Sequence, residues 1–104
     1  MHHKIYPAAR RRIIEIWHYT DKNWGVKQAD KYIRGLYEAI DKAANNKFLW
    51  RKIEHEDVKG IFFVRYQHHY IFFRELSEKV LGVVNVLHEN MDIPSRLKED
   101  LNRP

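Results

Sequence analysis

The stretch VRYQHHYIFFREL, residues 64–76, gathers groups able to handle a charged substrate. Arg65 and Arg74 offer cations to a phosphate oxygen, and Tyr70 offers a ring on which a base can stack. Imidazole is the side chain that serves as acid or base near neutral pH, and His88 supplies one further along. Metal-free RNA cleavage needs a base for the 2′-hydroxyl, cations for the phosphate charge and an acid for the leaving oxygen. Arg65, Arg74 and His88 are the candidate set for that chemistry. A plainer role competes for each: the arginines as surface cations bonded to Glu75 or the C-terminal residues, His88 as a histidine hydrogen-bonded at a sheet end. The pairs His68–His69 and His2–His3 are adjacent, so on a strand they point to opposite faces and do not chelate. With no cysteine and no further ligands at fixed spacing, neither metal nor cofactor is expected.

The whole chain limits what such groups can serve. Its 104 residues suit one domain spanning 1–104, with a polar tail from about residue 89. Lysine and arginine number 19 against 14 acidic residues, and the net charge of +5 favours an anionic partner. No apolar run is long enough to span a membrane, and MHHKIYPAARRR lacks the apolar core of a signal peptide. A small soluble protein of the cytoplasm is therefore expected. Aromatic residues make up 13% of the chain, enough to anchor both a core and a protein interface.

Hydrophobic spacing indicates the elements that position these groups. HKIY at 3–6 is short and partly apolar, and Pro7 suits the first turn of a helix. Ala9, Ile13, Ile16, Trp17 and Thr20 then form one helical stripe. TDKNWG breaks that helix, with Gly25 as punctuation, and about five residues lead to a second stripe: Ala29, Ile33, Leu36, Ile40, Ala43 and Ala44. Residues 47–60 read as a loop with Phe48 and Trp50 tucked inward. Three strands follow, Ile61–Tyr66, His69–Leu76 and Val80–His88, with separators short enough for hairpins. The predicted fold is α+β, β-α-α-β-β-β, a helical hairpin packed on a small antiparallel sheet.

A two-residue turn at Gln67–His68 pairs Val64 with Ile71 and Phe62 with Phe73 on the helix side. Arg65 then meets Tyr70, Phe63 meets Phe72 and Ile61 meets Arg74 on the other face, and His69 lies opposite His88. A turn at Glu78–Lys79 adds Val84 and Val86 to the helix side and leaves Val83, Asn85 and Leu87 beside the arginines. That outer face, apolar and cationic together, is expected to be open and to bind something.

The words of the sequence also have a family resemblance. YPAARRRIIEIWHYTDKNWGVKQADKYIRGLYEAI, then HYIFFRE and VVNVLHENMD, resemble in the same order the ParE toxins of the ParE/RelE superfamily, over about residues 5–93. The chain departs from the family's habits at NKFLW (46–50), at Phe62 and at Asn85, the last two standing where the family often has arginine. The resemblance implies the toxin of a type II, plasmid-stabilising toxin–antitoxin system, held in a hetero-oligomer by a ParD-type antitoxin and poisoning DNA gyrase when free. It implies a protein acting by binding, with no membrane and no sequence-specific nucleic acid as partner. Two alternatives stay open: a RelE-like ribosome-dependent mRNA endonuclease using Arg65, Arg74 and His88, and a non-toxic relative that retains antitoxin binding. The residues assigned to the target are Arg65, Tyr70, Arg74, His88, Met91 and Asp92. Those assigned to the antitoxin are Trp17, Tyr37, Phe63 and Phe72.

Overall fold

A computed structural model describes residues 2–55, 58–77 and 80–101, with His2 in its backbone only. The first strand, β1 (His2–Ile5), leads through extended Tyr6 into α1 (Pro7–Trp24). Pro7 opens the helix, where its missing N–H costs no bond. Helix α1 continues through Asp21–Trp24, four residues beyond the expected break. None of these residues is a helix breaker, and Asn23 Nδ2 donates to the Tyr19 carbonyl at 2.8 Å on the helix surface. The connection to α2 (Val26–Asn45) is Gly25 alone, not five residues. Its φ of 92° lies where a side chain would clash, so glycine reverses the chain in one step.

Residues 47–60 are more ordered than a loop. Lys47–Leu49 form a 3₁₀ turn and Arg51–Lys52 a two-residue edge strand, β2. Trp50 does tuck inward, its ring centroid 4.9 Å from Phe73 and 5.3 Å from Phe62, with Nε1 donating to Ala43 O at 2.7 Å. Phe48 does not: it is 83% exposed, because the turn aims it outward while Trp50 fills the slot.

The sheet order is β1-β5-β4-β3-β2, with β3 (Phe62–Tyr66), β4 (His69–Ser77) and β5 (Val80–His88) antiparallel in its centre. It is mixed and not wholly antiparallel, since β1 runs parallel to β5. The β3–β4 register is the expected one, Phe62 to Phe73, Phe63 to Phe72, Val64 to Ile71, Arg65 to Tyr70 and Tyr66 to His69. Ile61 falls outside the strand, so Arg74 is paired only across β5, with Gly82.

The β4–β5 pairing differs from expectation. Phe72 faces Asn85 and Phe73 faces Val83, leaving Val84 without an opposite residue. This β-bulge turns Val83 toward the helical hairpin and Val84 away from it, the reverse of the uninterrupted register. Val86 and Leu87 keep their expected sides. Asn85 Oδ1 accepts the Val86 N–H at 2.9 Å, satisfying a donor beside the irregularity. The expected Glu78–Lys79 turn lies outside the described residues.

Each face of the sheet has its own core. The hairpin covers Ile71, Phe73, Leu81, Val83 and Val86 with Ile13, Leu36 and Ile40. Burying such a side chain contributes about 1.5–3 kcal/mol. The other face is not open. Residues past Met91 form α3 (Ile93–Leu101), whose Ile93, Leu97 and Leu101 pack on Val58, Ile61, Phe72, Val84 and Leu87. The expected polar tail is therefore an amphipathic helix, and Pro94 occupies its first turn instead of merely ending a strand.

Candidate functional site

The β3–β4 turn, the end of β5 and the N-terminal part of α2 meet at one end of the molecule. Gln67, with φ of 52°, closes the turn and presents His68 and His69. His69 faces His88 across β4 and β5, their rings edge-to-face at 5.1 Å, while His68 lies 6.4 Å from His88 with planes 24° apart. Residues next to β5 tie the end together. Glu89 receives Arg65 Nη2 at 2.5 Å on one oxygen and faces His68 Nδ1 at 3.1 Å on the other. Arg65 Nε also donates to Gln67 O at 2.8 Å, and its guanidinium lies 5.8 Å from the Tyr70 ring centre. The hydrogen bond with His68 is the main cause that holds the Glu89 carboxyl below its ordinary value; desolvation opposes it, and the Arg65 charge then adds to the lowering.

Tyr32 reaches this end from α2. Its hydroxyl lies 2.7 Å from His69 Nδ1, and the Tyr66 hydroxyl donates to Tyr32 O at 3.0 Å. Burial pushes the Tyr32 phenol up to about 12 and raises that of Tyr66. Burial, and then the neighbouring histidines, lower His69 to about 4, so its ring stays neutral and accepts the Tyr32 proton. Between these residues and the helix tips lies a cleft of about 680 Å³, bordered by Tyr19, Trp24, Tyr32, His68, His69 and His88. Tyr19 and Trp24 are 62% and 65% exposed, which leaves aromatic surface at its mouth.

Arg65 and His88 thus share one end of the sheet, but Arg74 does not. It stands five residues beyond His69, about 16 Å along β4. Arg74 Nε is buried with no acceptor among the described residues, and Glu75, its suggested partner, instead pairs with Lys47 at 2.6 Å. Met91 is 36% exposed beside the cleft, and Asp92 precedes α3, accepting the Ser95 hydroxyl at 3.0 Å. Trp17 donates to Asp30 at 2.8 Å, and Tyr37 is 38% exposed. Phe63 is half-buried against Tyr70 and Phe72, and Phe72 is 2% exposed beneath α3.

Asn85 has a definite place. Its Nδ2 donates to Asp100 Oδ2 at 2.6 Å, and the same oxygen lies 3.5 Å from Arg12 Nη2, in a carboxylate that is 6% exposed. The residue standing where basic character was expected therefore fastens α3 to the sheet. Sequence reading missed Tyr32, Glu89 and Asp100. Tyr32 and Asp100 lie on helices and Glu89 in the turn after the last strand, so no single spacing pattern marks all three. Among the described residues, no three His, Asp or Glu side chains are disposed to hold a metal ion, and no helix is long and apolar enough to cross a membrane.

A family model described as the ParE toxin of the type II toxin–antitoxin system parDE matches residues 4–93. This chain belongs to the ParE toxin family. It is 40% identical over 93 residues to Toxin ParE1 of Mycobacterium tuberculosis strain H37Rv, covering 89% of this chain and 94% of that one. To Toxin ParE of Escherichia coli it is 31% identical over 83 residues, 80% of each chain. Among solved structures, the fold is similar to a chain of the chromosomal ParDE toxin–antitoxin system from P. aeruginosa, with TM-score 0.70 at 16% identity over 85% of this chain and 95% of that one. It is also similar to a chain of the RelBE2 toxin–antitoxin complex of M. tuberculosis, with TM-score 0.52 at 13% identity over 84% and 95%. The chain is thus a ParE-type toxin with the α+β fold shared by ParE and RelE proteins.

Proposed function

We propose that this toxin poisons DNA gyrase in the cytoplasm, stabilising DNA breaks, and that a ParD-type antitoxin holds it inactive in a hetero-oligomer. The observation that carries this reading is the 40% identity to Toxin ParE1 across 94% of that protein's length. A structural argument supports action by binding: Arg65 and His88 stand at one end of the sheet and Arg74 about 16 Å away, so the three do not meet on one phosphate. The whole chain acts as one toxin domain, its α3 closing the face that an open sheet would present.

The antitoxin suits the charge of the chain. A net charge of +5 attracts an acidic segment, and exposed Tyr19, Trp24 and Tyr37 supply aromatic anchors for it. Asn85, one of the two positions that motivate a non-toxic alternative, is 1% exposed and serves the α3 attachment through Asp100.

Expression of the chain alone in bacteria tests the reading. The expected result is growth arrest with accumulating double-strand breaks and intact mRNA, relieved when a cognate ParD-type antitoxin is co-expressed. Arrest with cut mRNA and unbroken DNA would transfer the chain to the ribosome-directed class. Unimpeded growth would mark it as a non-toxic relative.

A further inference from the structure

His69 opens β4 and His88 closes β5, and local hydrogen bonds fix both imidazoles as donors. His88 Nδ1 accepts the Asn90 main-chain N–H at 3.1 Å, so the neutral ring carries its proton on Nε2. His69 is fixed in the same sense. The Tyr32 oxygen accepts the His68 main-chain N–H, which leaves the Tyr32 O–H for His69 Nδ1 at 2.7 Å, and burial keeps that ring neutral. Its proton therefore also sits on Nε2. Neither Nε2–H meets an acceptor among the described residues. Both atoms reach solvent, because among those residues Arg74 Nε is the one side-chain nitrogen or oxygen that is buried without a partner.

The two rings stand edge-to-face at 5.1 Å, and both border the cleft of about 680 Å³. One carboxylate, with an oxygen for each N–H, can meet both. Among the described residues the cleft lining has no lysine or arginine, and its one acidic residue, Glu15, is paired with Arg12 at 3.3 Å. A phosphate carries more charge and is ordinarily met by a cation, so it does not suit two neutral donors. A carboxylate does. We infer that this cleft binds a protein segment carrying an aspartate or glutamate beside a large apolar side chain. The carboxylate is taken by the Nε2–H groups of His69 and His88, and the apolar group lies against Ile16, Tyr19, Trp24 and Met91.

The shape of the cleft favours a segment over a free small acid. Small-molecule sites enclose most of their ligand's surface. Here Tyr19 and Trp24 at the mouth are more than half exposed, so a chain can lie across the helix tips and cover them while one side chain enters. The net charge of +5 draws an acidic segment toward the protein, and the two fixed donors then select where its carboxylate rests. Tyr32 and Asn90 are positioning residues: each occupies one Nδ1 and so turns the other ring nitrogen into a donor.

The probe is a library of short random peptides displayed on phage and selected on immobilised full-length protein, with a selected sequence synthesised for titration. Selected peptides are expected to share an aspartate or glutamate next to leucine, isoleucine, phenylalanine or tryptophan. Replacing that acid with its amide should weaken binding at least about 10-fold, the usual contribution of hydrogen bonds to a charged group. His88→Phe and His69→Phe should each weaken the acidic peptide by a similar factor and affect the amide peptide less, and circular dichroism checks that both fold. The acid-to-amide change is made on the peptide, so it stays decisive if either variant fails to fold. In nitrogen-15 imidazole spectra the Nε2 signals of His69 and His88 should shift as the acidic peptide binds. The inference is overturned if no peptide is enriched, if the enriched peptides lack the acid or bind equally well as amides, or if the imidazole signals stay still. It is also overturned if phenylpropionate binds as tightly as the peptide, which would assign the cleft to small acids.

Discussion

On one face of the sheet lie helices of 18 and 20 residues joined at a single glycine; on the other lies the nine-residue α3. The hairpin is held by a broad apolar stripe: its Leu36 and Ile40, and Ile71 and Phe73 on the strand beneath, are all 0% exposed. Helix α3 brings one fully buried residue, Leu97, flanked by half-buried Ile93 and Leu101. A polar attachment supplements it, with Asp100 between Asn85 and Arg12. The difference teaches how the two faces answer to perturbation. The hairpin face is expected to open only with the global fold, and the smaller α3 to open first as a local unit.

The largest expected effect contrasts the two buried leucines. Leu36→Ala should lower global unfolding free energy by about 3 kcal/mol in denaturant titration, because a fully buried leucine leaves a cavity. Leu97→Ala should act locally, removing hydrogen-exchange protection from residues 93–101 while the hairpin amides stay protected. Equal loss of protection across both faces would contradict the comparison.

Gly35→Ala comes next. A Cβ there would lie 2.2 Å from the Tyr66 hydroxyl oxygen, so Tyr66 must leave its bond to Tyr32 O or α2 must lift. A loss of about 1–3 kcal/mol is expected, and Tyr66→Phe in the same background should recover part of it. Asp100→Asn probes the polar attachment. It removes the charge that Arg12 and Asn85 face and should cost about 1–2 kcal/mol, read as faster exchange in α3.

The smallest effect concerns pH and belongs to the hairpin side. His69 is lowered in the folded protein from 6.5 to about 4, so between those values the unfolded chain binds the extra proton. Its contribution is fully present above pH 6.5 and is lost as pH falls toward 4. Part exposure of the ring reduces the change to on the order of 1 kcal/mol. Denaturant titrations at pH 7 and pH 4.5 should show a smaller difference in His69→Phe than in the parent chain. Glu89, also lowered, adds stability lost in acid, so a residual slope remains.

The same contrast explains what the sequence disclosed. The hairpin was legible because Ala29, Ile33, Leu36 and Ile40 repeat at helical spacing over many turns, and the β3–β4 register because a two-residue turn leaves no freedom. Helix α3 was not, since three apolar residues among charges, with Pro94 near the start, resemble a tail. The bulge at Val84 arises from pairing between strands, which no single-strand pattern records. At the candidate site, His69 opposite His88 followed from the register. Tyr32, 37 residues from His69, enters only when the layers pack. Arg65 was legible as a cation on the correct strand, but its partner Glu89 lies 24 residues away past the end of β5.

The most direct test of the toxin's target uses purified components. Gyrase, ATP and relaxed plasmid are incubated with rising amounts of the full-length protein, and linear DNA is measured after detergent and protease treatment. Linear DNA that accumulates only when both gyrase and the protein are present, and disappears when the antitoxin is added, is the predicted result. Normal supercoiling and no linear DNA at excess protein would contradict gyrase as the target.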